Sequence, residues 1–363
     1  MSCQIRLFPS FFRLTVLSLV LVVLPGLANA ALPESDASLK IESQEWPFEP
    51  GPRQVTIYIY YPGGKLENVT PETGLMLNLH NWGGTGFQGA GDPRKLTAGL
   101  DVIAISVDYL QSGKQQDGAP YDFGHLQAID ALRALSYVFR ELKAADIDLN
   151  TRRIMASGGS GGGNVSLMCN KFAPHTFSCI VDICGMPRLS DDIAFNLPGG
   201  SRLDARYSQD PESPMYLSPG RQELHFVGNP AHLQKMKEFG NEARIVVIHG
   251  TGDDVCPYPD AVEMVTNMKQ AELNIEEFFV KESDVDGKIF KSTGHSLGDR
   301  SAMMLLYGRK YLLPESDDYF ERESQTDFEL QQDIVYPTSD GQYVISYPEG
   351  VPSIRFESQS PTE

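Results

Sequence analysis

Apolar residues along this chain recur with two periods, and the two periods take turns. Leu39–Ser43 and Gln54–Tyr61 alternate apolar and polar positions, as half-buried strands do, with Pro50, Gly51 and Pro52 turning between them. Leu75–His80, Val102–Val107, Cys179–Ile183, Arg244–Ile248 and Ile275–Val280 are short runs, most of them apolar throughout, the mark of strands buried on both faces. Between them the spacing widens. Leu126, Ile129, Leu132, Leu135, Val138, Phe139 and Leu142 lie on one face of a helix predicted over Phe123–Ala144. Further helices are predicted near Ala261–Gln270 and over Ala302–Leu312. Strands alternating with helices predict an α/β domain with a mainly parallel central sheet and helices on both faces.

Two stretches break this rhythm. Between Gly185 and Asn241 about 55 residues carry six prolines, too long for a plain connection, so an inserted lid is expected over about 187–241. From Glu315 the composition turns acidic. Asp333–Tyr336 and Gln342–Tyr347, around Ser339-Asp340-Gly341, predict a β-hairpin in an extension spanning 315–363, with the last few residues expected to be disordered. The main domain is thus expected over 31–314.

The N-terminus reads as a targeting segment rather than as fold. Arg6 and Arg13 precede an apolar run from Leu14 to Leu24, followed by Pro25 and the small-x-small site Ala28-Asn29-Ala30. A signal peptide over residues 1–30 is expected, and with it a secreted or periplasmic protein with no stable membrane anchor after cleavage. An uncleaved anchor is the alternative; the run is short of the roughly 20 apolar residues a span needs. The formal net charge is −18, and it falls by two more when Arg6 and Arg13 leave. Such a surface repels nucleic acid and anionic membranes, so neither is an expected partner. Oligomeric state is not legible.

The most informative stretch is Thr151–Phe172, where an apolar run enters a cluster of glycines around one serine and leaves as a helical pattern. Gly158 and Gly162 flank Ser160 at minus two and plus two, giving G-x-S-x-G between a strand and a helix. Strand and helix pass so closely there that side chains at the flanking positions would collide. The turn lifts the hydroxyl and aims backbone N–H groups at the same point. Ser157 lacks this frame, because Met155 stands at its minus-two position. A glycine-rich phosphate loop is the competing reading, but no Gly-Lys-Ser/Thr follows.

A serine hydroxyl needs a base, and the base needs an orienting group. In the order serine, acid, histidine, the acid should follow a later strand. His249-Gly250-Thr251-Gly252-Asp253-Asp254 directly follows the Arg244–Ile248 run, leaving Asp253 and Asp254 as candidates and Asp182, inside a strand, as a distant third. Of the seven histidines only His295, in Ser292-Thr293-Gly294-His295-Ser296, lies beyond that turn. His80 and His249 end strands and read as structural. For an oxyanion hole one donor is the N–H of Gly161; the other is expected from His80-Asn81-Trp82-Gly83-Gly84.

With these motifs placed, the chain resembles the α/β-hydrolase-fold serine hydrolases, in particular the prolyl-oligopeptidase and dienelactone-hydrolase-like branch, and is similar to secreted bacterial members of that superfamily. His249-Gly250-Thr251-Gly252-Asp253-Asp254-Val255-Cys256-Pro257 is similar to its His-Gly-Thr-x-Asp-x-x-x-Pro acid turn. That resemblance implies Asp253 as the acid. His80-Asn81-Trp82-Gly83-Gly84-Thr85-Gly86 resembles its His-Gly-x-Gly-Gly oxyanion loop and implies Trp82 as the second donor; it departs at Asn81, where the family usually has glycine. The match covers roughly Gln54–Leu313.

The expected function is a serine hydrolase that cleaves an ester or amide through an acyl-enzyme: Ser160 attacks, His295 carries the proton and Asp253 orients it. No cofactor and no metal are called for. The substrate would be a small ester or acyl compound or a peptide, and with no β-propeller ahead of the domain the balance tilts to ester or acyl substrates. A non-catalytic binding protein on the same fold is the alternative, and its mark would be a missing triad residue. In the lid, Arg202 and Arg206 fall on one face if that segment is helical and could hold a substrate carboxylate, against surface ion pairs as the plainer reading. Of the four mature cysteines, Cys179 and Cys184 bracket one strand and should lie about 16 Å apart, beyond the roughly 7 Å a disulfide allows. The topology implied by the resemblance then suggests Cys169–Cys179 and Cys184–Cys256 pairs, with four buried free thiols as the alternative.

Overall fold

The computed structural model describes residue 1 and residues 32–113, 118–198 and 201–359. The expected signal peptide and the last few residues lie outside this range. Leu32 onward forms one compact unit. Its centre is an eight-stranded sheet: β1 (Ala37–Ser43), β2 (Arg53–Tyr60), β3 (Gly74–Leu79), β4 (Val102–Asp108), β5 (Ile154–Gly159), β6 (Cys179–Ile183), β7 (Arg244–Gly250) and β8 (Ile275–Val280). Their order across the sheet is β1-β2-β4-β3-β5-β6-β7-β8. β1 and β2 pair antiparallel, β2 meets β4 antiparallel, and every pairing from β4 to β8 is parallel. The sheet is therefore mainly parallel, as the uninterrupted apolar runs require.

The pleat sorts each strand's side chains to two cores. From β3, Leu75, Leu77 and Leu79 enter the larger core while Met76 enters the other; from β7, Ile245 and Val247 part from Val246 and Ile248 in the same way. The larger core is roofed by α2 (His125–Ala144), α3 (Gly161–Phe172) and α7 (Tyr258–Gln270). On the opposite face lie α1 (Pro93–Leu100) and α8 (Arg300–Leu312). The sequence reading did not include α1, whose eight residues are too few to display a period beside a glycine-rich loop. An Asp92 cap on the Arg94 N–H and Pro93 in the first turn start it.

The stretch after β6 carries three short helices, α4 (Asp191–Phe195), α5 (Pro219–His225) and α6 (Pro230–Glu238). Ile193, Ala194, Ala205, Tyr207 and Leu217 from it form a third small core with Tyr121, Phe123 and Cys256. Residues 201–206 are not helical, and Arg206 sits at φ 61. Arg202 and Arg206 therefore do not share a helix face, which corrects the geometry expected of them.

After α8 come α9 (Asp327–Leu330) and a separate antiparallel sheet in the order β11-β10-β9, formed by β9 (Ile334–Thr338), β10 (Gly341–Ser346) and β11 (Ser353–Ser358). The hairpin gains a third strand. Ile334, Tyr336, Tyr343, Ile345 and Tyr347 bury into the larger core, and the Tyr336 and Tyr347 hydroxyls donate to the carbonyls of Lys171 and Phe172 at the end of α3. No helix among the described residues is long and apolar enough to cross a membrane.

Candidate active site

Ser160 stands between β5 and α3 at φ 60, ψ −123, a backbone conformation that costs an L-residue energy unless its surroundings impose it. The surroundings are steric. A Cβ on Gly158 would lie 2.4 Å from the Gly162 carbonyl, and one on Gly162 would lie 2.1 Å from the Leu79 carbonyl oxygen. The two glycines thus let strand, turn and helix close on one another, as the motif demanded.

His295 comes from the loop between β8 and α8. Its Nε2 is 2.8 Å from Ser160 Oγ, and its Nδ1 is 2.9 Å from Asp253 Oδ2 and 3.2 Å from Oδ1. With Nδ1 donating to the carboxylate, Nε2 is left to accept the serine proton. Asp253 is buried, whereas Asp254 is exposed. Burial by itself would raise the Asp253 carboxyl, but the His295 hydrogen bond and charge, His249 and the Cys256 N–H outweigh it and hold the group below its ordinary range. Its Oδ1 also accepts from the Val255 and Cys256 N–H groups at 2.9 and 3.0 Å. An orienting acid that stays ionised is what the imidazole requires.

Beside Ser160 the β3–α1 loop meets the elbow. A Cβ built on Gly161 would lie 2.7 Å from the Trp82 nitrogen, so the Gly161 and Trp82 backbones are neighbours at the nucleophile. Three glycines of that loop are left-handed, Gly83 (φ 64), Gly86 (φ 57) and Gly89 (φ 75), whereas Asn81 is not among the positive-φ residues. His80 is buried and locked: Nε2 meets Ser112 Oγ at 2.6 Å, Nδ1 meets the Asn81 carbonyl at 2.7 Å, and its ring stacks on Tyr109. Burial lowers it to about 4, so it stays neutral and structural. His249 is likewise buried and meets the Cys256 carbonyl at 2.8 Å through Nε2.

Arg300, Tyr121, Phe123, Met186 and Leu203 also stand at the site, outside the sequence expectations. Arg300, near the start of α8, donates to the Gly89 carbonyl and presses on the back of Gly159, joining the loop before α1 to the elbow. Trp82 stacks on Tyr121 at 3.8 Å and meets Phe123 edge-on, and these rings with Met186 and Leu203 wall a cleft over Ser160 and Gly161. Tyr121 and Phe123, two aromatics either side of Asp122 in a polar loop, are the available signal. In the 201–206 stretch it is Leu203, not Arg202 or Arg206, that lines the cleft.

All four cysteines are free and buried, which corrects the two expected bridges. Cys169 and Cys179 lie in the cores on opposite faces of the sheet, so the sheet separates them. Cys184 lies beside Asp253 and Cys256 beside Asp253 and Ser160, and burial keeps both thiols protonated. Among the described residues, Cys184, Asp253 and His295 are the group whose ligand atoms lie close enough to share an ion, within 4.8 Å of one another. Two of those three already bond each other in the chain leading to Ser160.

Comparison with known proteins agrees with this architecture. No curated protein matches the chain. Among solved structures it is similar to the acylaminoacyl peptidase of Pyrococcus horikoshii (14% identity, 80% of this chain and 44% of that one, TM-score 0.53). It is also similar to a puromycin-hydrolyzing peptidase of Mycobacterium tuberculosis (15% identity, 82% and 42%, TM-score 0.53). The chain spans less than half the length of these proteins, and at such identity the likeness is one of fold. Residues 130–311, half of the chain and the part that holds Ser160, Asp253 and His295, match the prolyl oligopeptidase family. The chain belongs to the prolyl oligopeptidase family of α/β-hydrolase-fold proteins.

Proposed function

We propose that this protein is a serine hydrolase that cleaves an ester or amide bond through an acyl-enzyme on Ser160. The observation that carries the reading is the hydrogen-bonded chain from Ser160 Oγ through His295 to Asp253, 2.8 Å on one side and 2.9 Å on the other. Ser160 Oγ adds to the substrate carbonyl carbon while His295 Nε2 takes its proton; the carbonyl oxygen, now an anion, turns to the N–H groups of Gly161 and Trp82. His295 then returns the proton to the departing alcohol or amine, and water repeats the sequence to release the acid. Family membership supports the reaction class. The related solved proteins are peptidases by name, which favours acyl compounds with an amide leaving group as well as esters.

The leader read at residues 1–30 supports export to the periplasm or medium; the mass of the mature N-terminus after expression with that leader tests it. For the reaction, a fluorophosphonate probe should label purified wild-type protein, and Ser160→Ala should lose both label and turnover while keeping its circular dichroism. Undiminished labelling of the variant would reject the assignment.

A further inference from the structure

We propose that the acyl pocket is built for a short acyl group, of acetyl size, and that Leu203 and Met186 set this limit. The inference rests on the acyl-enzyme reading above. In that chemistry the leaving group must face His295 Nε2, which protonates it, and the oxyanion faces Gly161 and Trp82, so the acyl substituent takes the remaining direction. The cleft beside Ser160 lies in that direction: it touches Ser160, Gly161, Trp82, Tyr121, Met186 and Leu203, and His295 is not among its walls. Its free volume is about 10 Å³, room for about one water-sized group. A methyl fits such a space; each further methylene has to displace a wall.

The walls are tied down by polar contacts. Asn164 Nδ2 donates to the Met186 carbonyl at 2.8 Å, His225 Nδ1 to the Phe123 carbonyl at 2.9 Å, and the Gly83 N–H to the Tyr121 hydroxyl at 3.3 Å. Trp82 fills the remaining width by stacking flat on Tyr121, 7° from parallel. His225 belongs to α5, so the lid itself fixes the Phe123 wall. Leu203, from the same insertion, is only partly buried and closes the outer side.

The test is a chain-length series of p-nitrophenyl esters, acetate, butanoate, hexanoate and octanoate, with alanyl and phenylalanyl p-nitroanilides as the amide arm. The wild-type kcat/KM should fall about 10-fold or more from acetate to butanoate, and alanyl should exceed phenylalanyl if amides are turned over. Leu203→Ala and Met186→Ala should raise the butanoate-to-acetate ratio about 10-fold or more while fluorophosphonate labelling of Ser160 persists, which shows that each variant is folded. Turnover that prefers the longer esters, or ratios unmoved in both labelled variants, would overturn the pocket proposal and leave the hydrolase reading standing. Absence of labelling and of turnover on every ester in wild type would instead reject the hydrolase reading itself.

Discussion

The backbone nitrogen of Trp82 lies 2.7 Å from where Gly161 would carry a side chain. A methyl at position 161 would therefore strike the backbone proposed to hold the oxyanion, and the atom it meets is main chain and cannot swing away. Gly161→Ala is expected to lower kcat by about 10²–10³, the typical loss for one oxyanion donor, with KM less affected. Stopped-flow or steady-state kinetics on the variant check this; an unchanged kcat would mean that Trp82 does not donate.

Asp253 and Asp254 are neighbours in sequence and opposites in environment, one buried against His295 and the other exposed. Asp253→Asn should reduce kcat by about 10⁴, since the amide favours the wrong imidazole tautomer. Asp254→Asn should remain within a few-fold of wild type, as an exposed charge in a turn. Reversal of that ranking would move the orienting acid by one position.

The sequence made this contrast legible only in part. Strand ends, the elbow and the order of Ser160, Asp253 and His295 follow from local pattern, because glycine sterics and apolar runs are local effects. Partners brought together by the crossovers do not follow. Arg300 against Gly159, and Leu203 over Ser160, join residues far apart in the chain, and no period records them. The arginine pair after α4 shows the converse error: i, i+4 spacing implies a shared face only where a helix exists, and the stretch holding Arg202 and Arg206 is a non-helical loop. The placement of β4 between β2 and β3 is likewise a tertiary choice. For the cysteines, position along a strand was readable, but the face of the sheet reached by the α3 side chain was not.

Asp182 in β6 is fully buried with no hydrogen-bond partner of normal geometry among the described residues, its carboxylate set against the backbone of Gly163 and Gly185. Burial pushes it up to about 7, with Asp253 adding to the rise while the Gly185 N–H and Arg300 oppose it. Above that value the folded state holds a buried charge, whereas the unfolded chain titrates near 3.8. As pH falls below 7 the folded protein takes up a proton that the unfolded chain does not, and this part of the instability fades. Asp182→Asn should therefore stabilise the protein at pH 8, by a few kcal/mol at most. The gain should shrink steadily towards pH 5. Urea melts of both proteins at pH 8, 6.5 and 5 check the sign; a gain that grew on acidification would show that the carboxylate is held ionised in the fold.

Cys169, Cys179, Cys184 and Cys256 should all be titratable as free thiols, but only after unfolding. Cys169 points into the core under α2, where its thiol reaches the Ala128 carbonyl at 3.7 Å, and Cys179 faces the α1–α8 side, so their union would have to pass through the sheet. Cys184 and Cys256 are the closer pair, since Cys184 lies near enough to raise the Cys256 thiol. Cys184 is held at φ 50 near Asp253, and Cys256 packs with Ala205, Tyr207 and Leu217. Cys256 also belongs to the turn whose Val255 and Cys256 N–H groups hold Asp253 Oδ1, the carboxylate bonded to His295. In the fold both thiols are free, buried and protonated. Iodoacetamide without reductant should therefore modify none of the four in native protein and all four in guanidinium chloride, as read by mass. Two modified thiols in denaturant, with a Cys184–Cys256 peptide in the unreduced digest, would show that this pair is bridged after all and that the acid turn is held by a covalent tie.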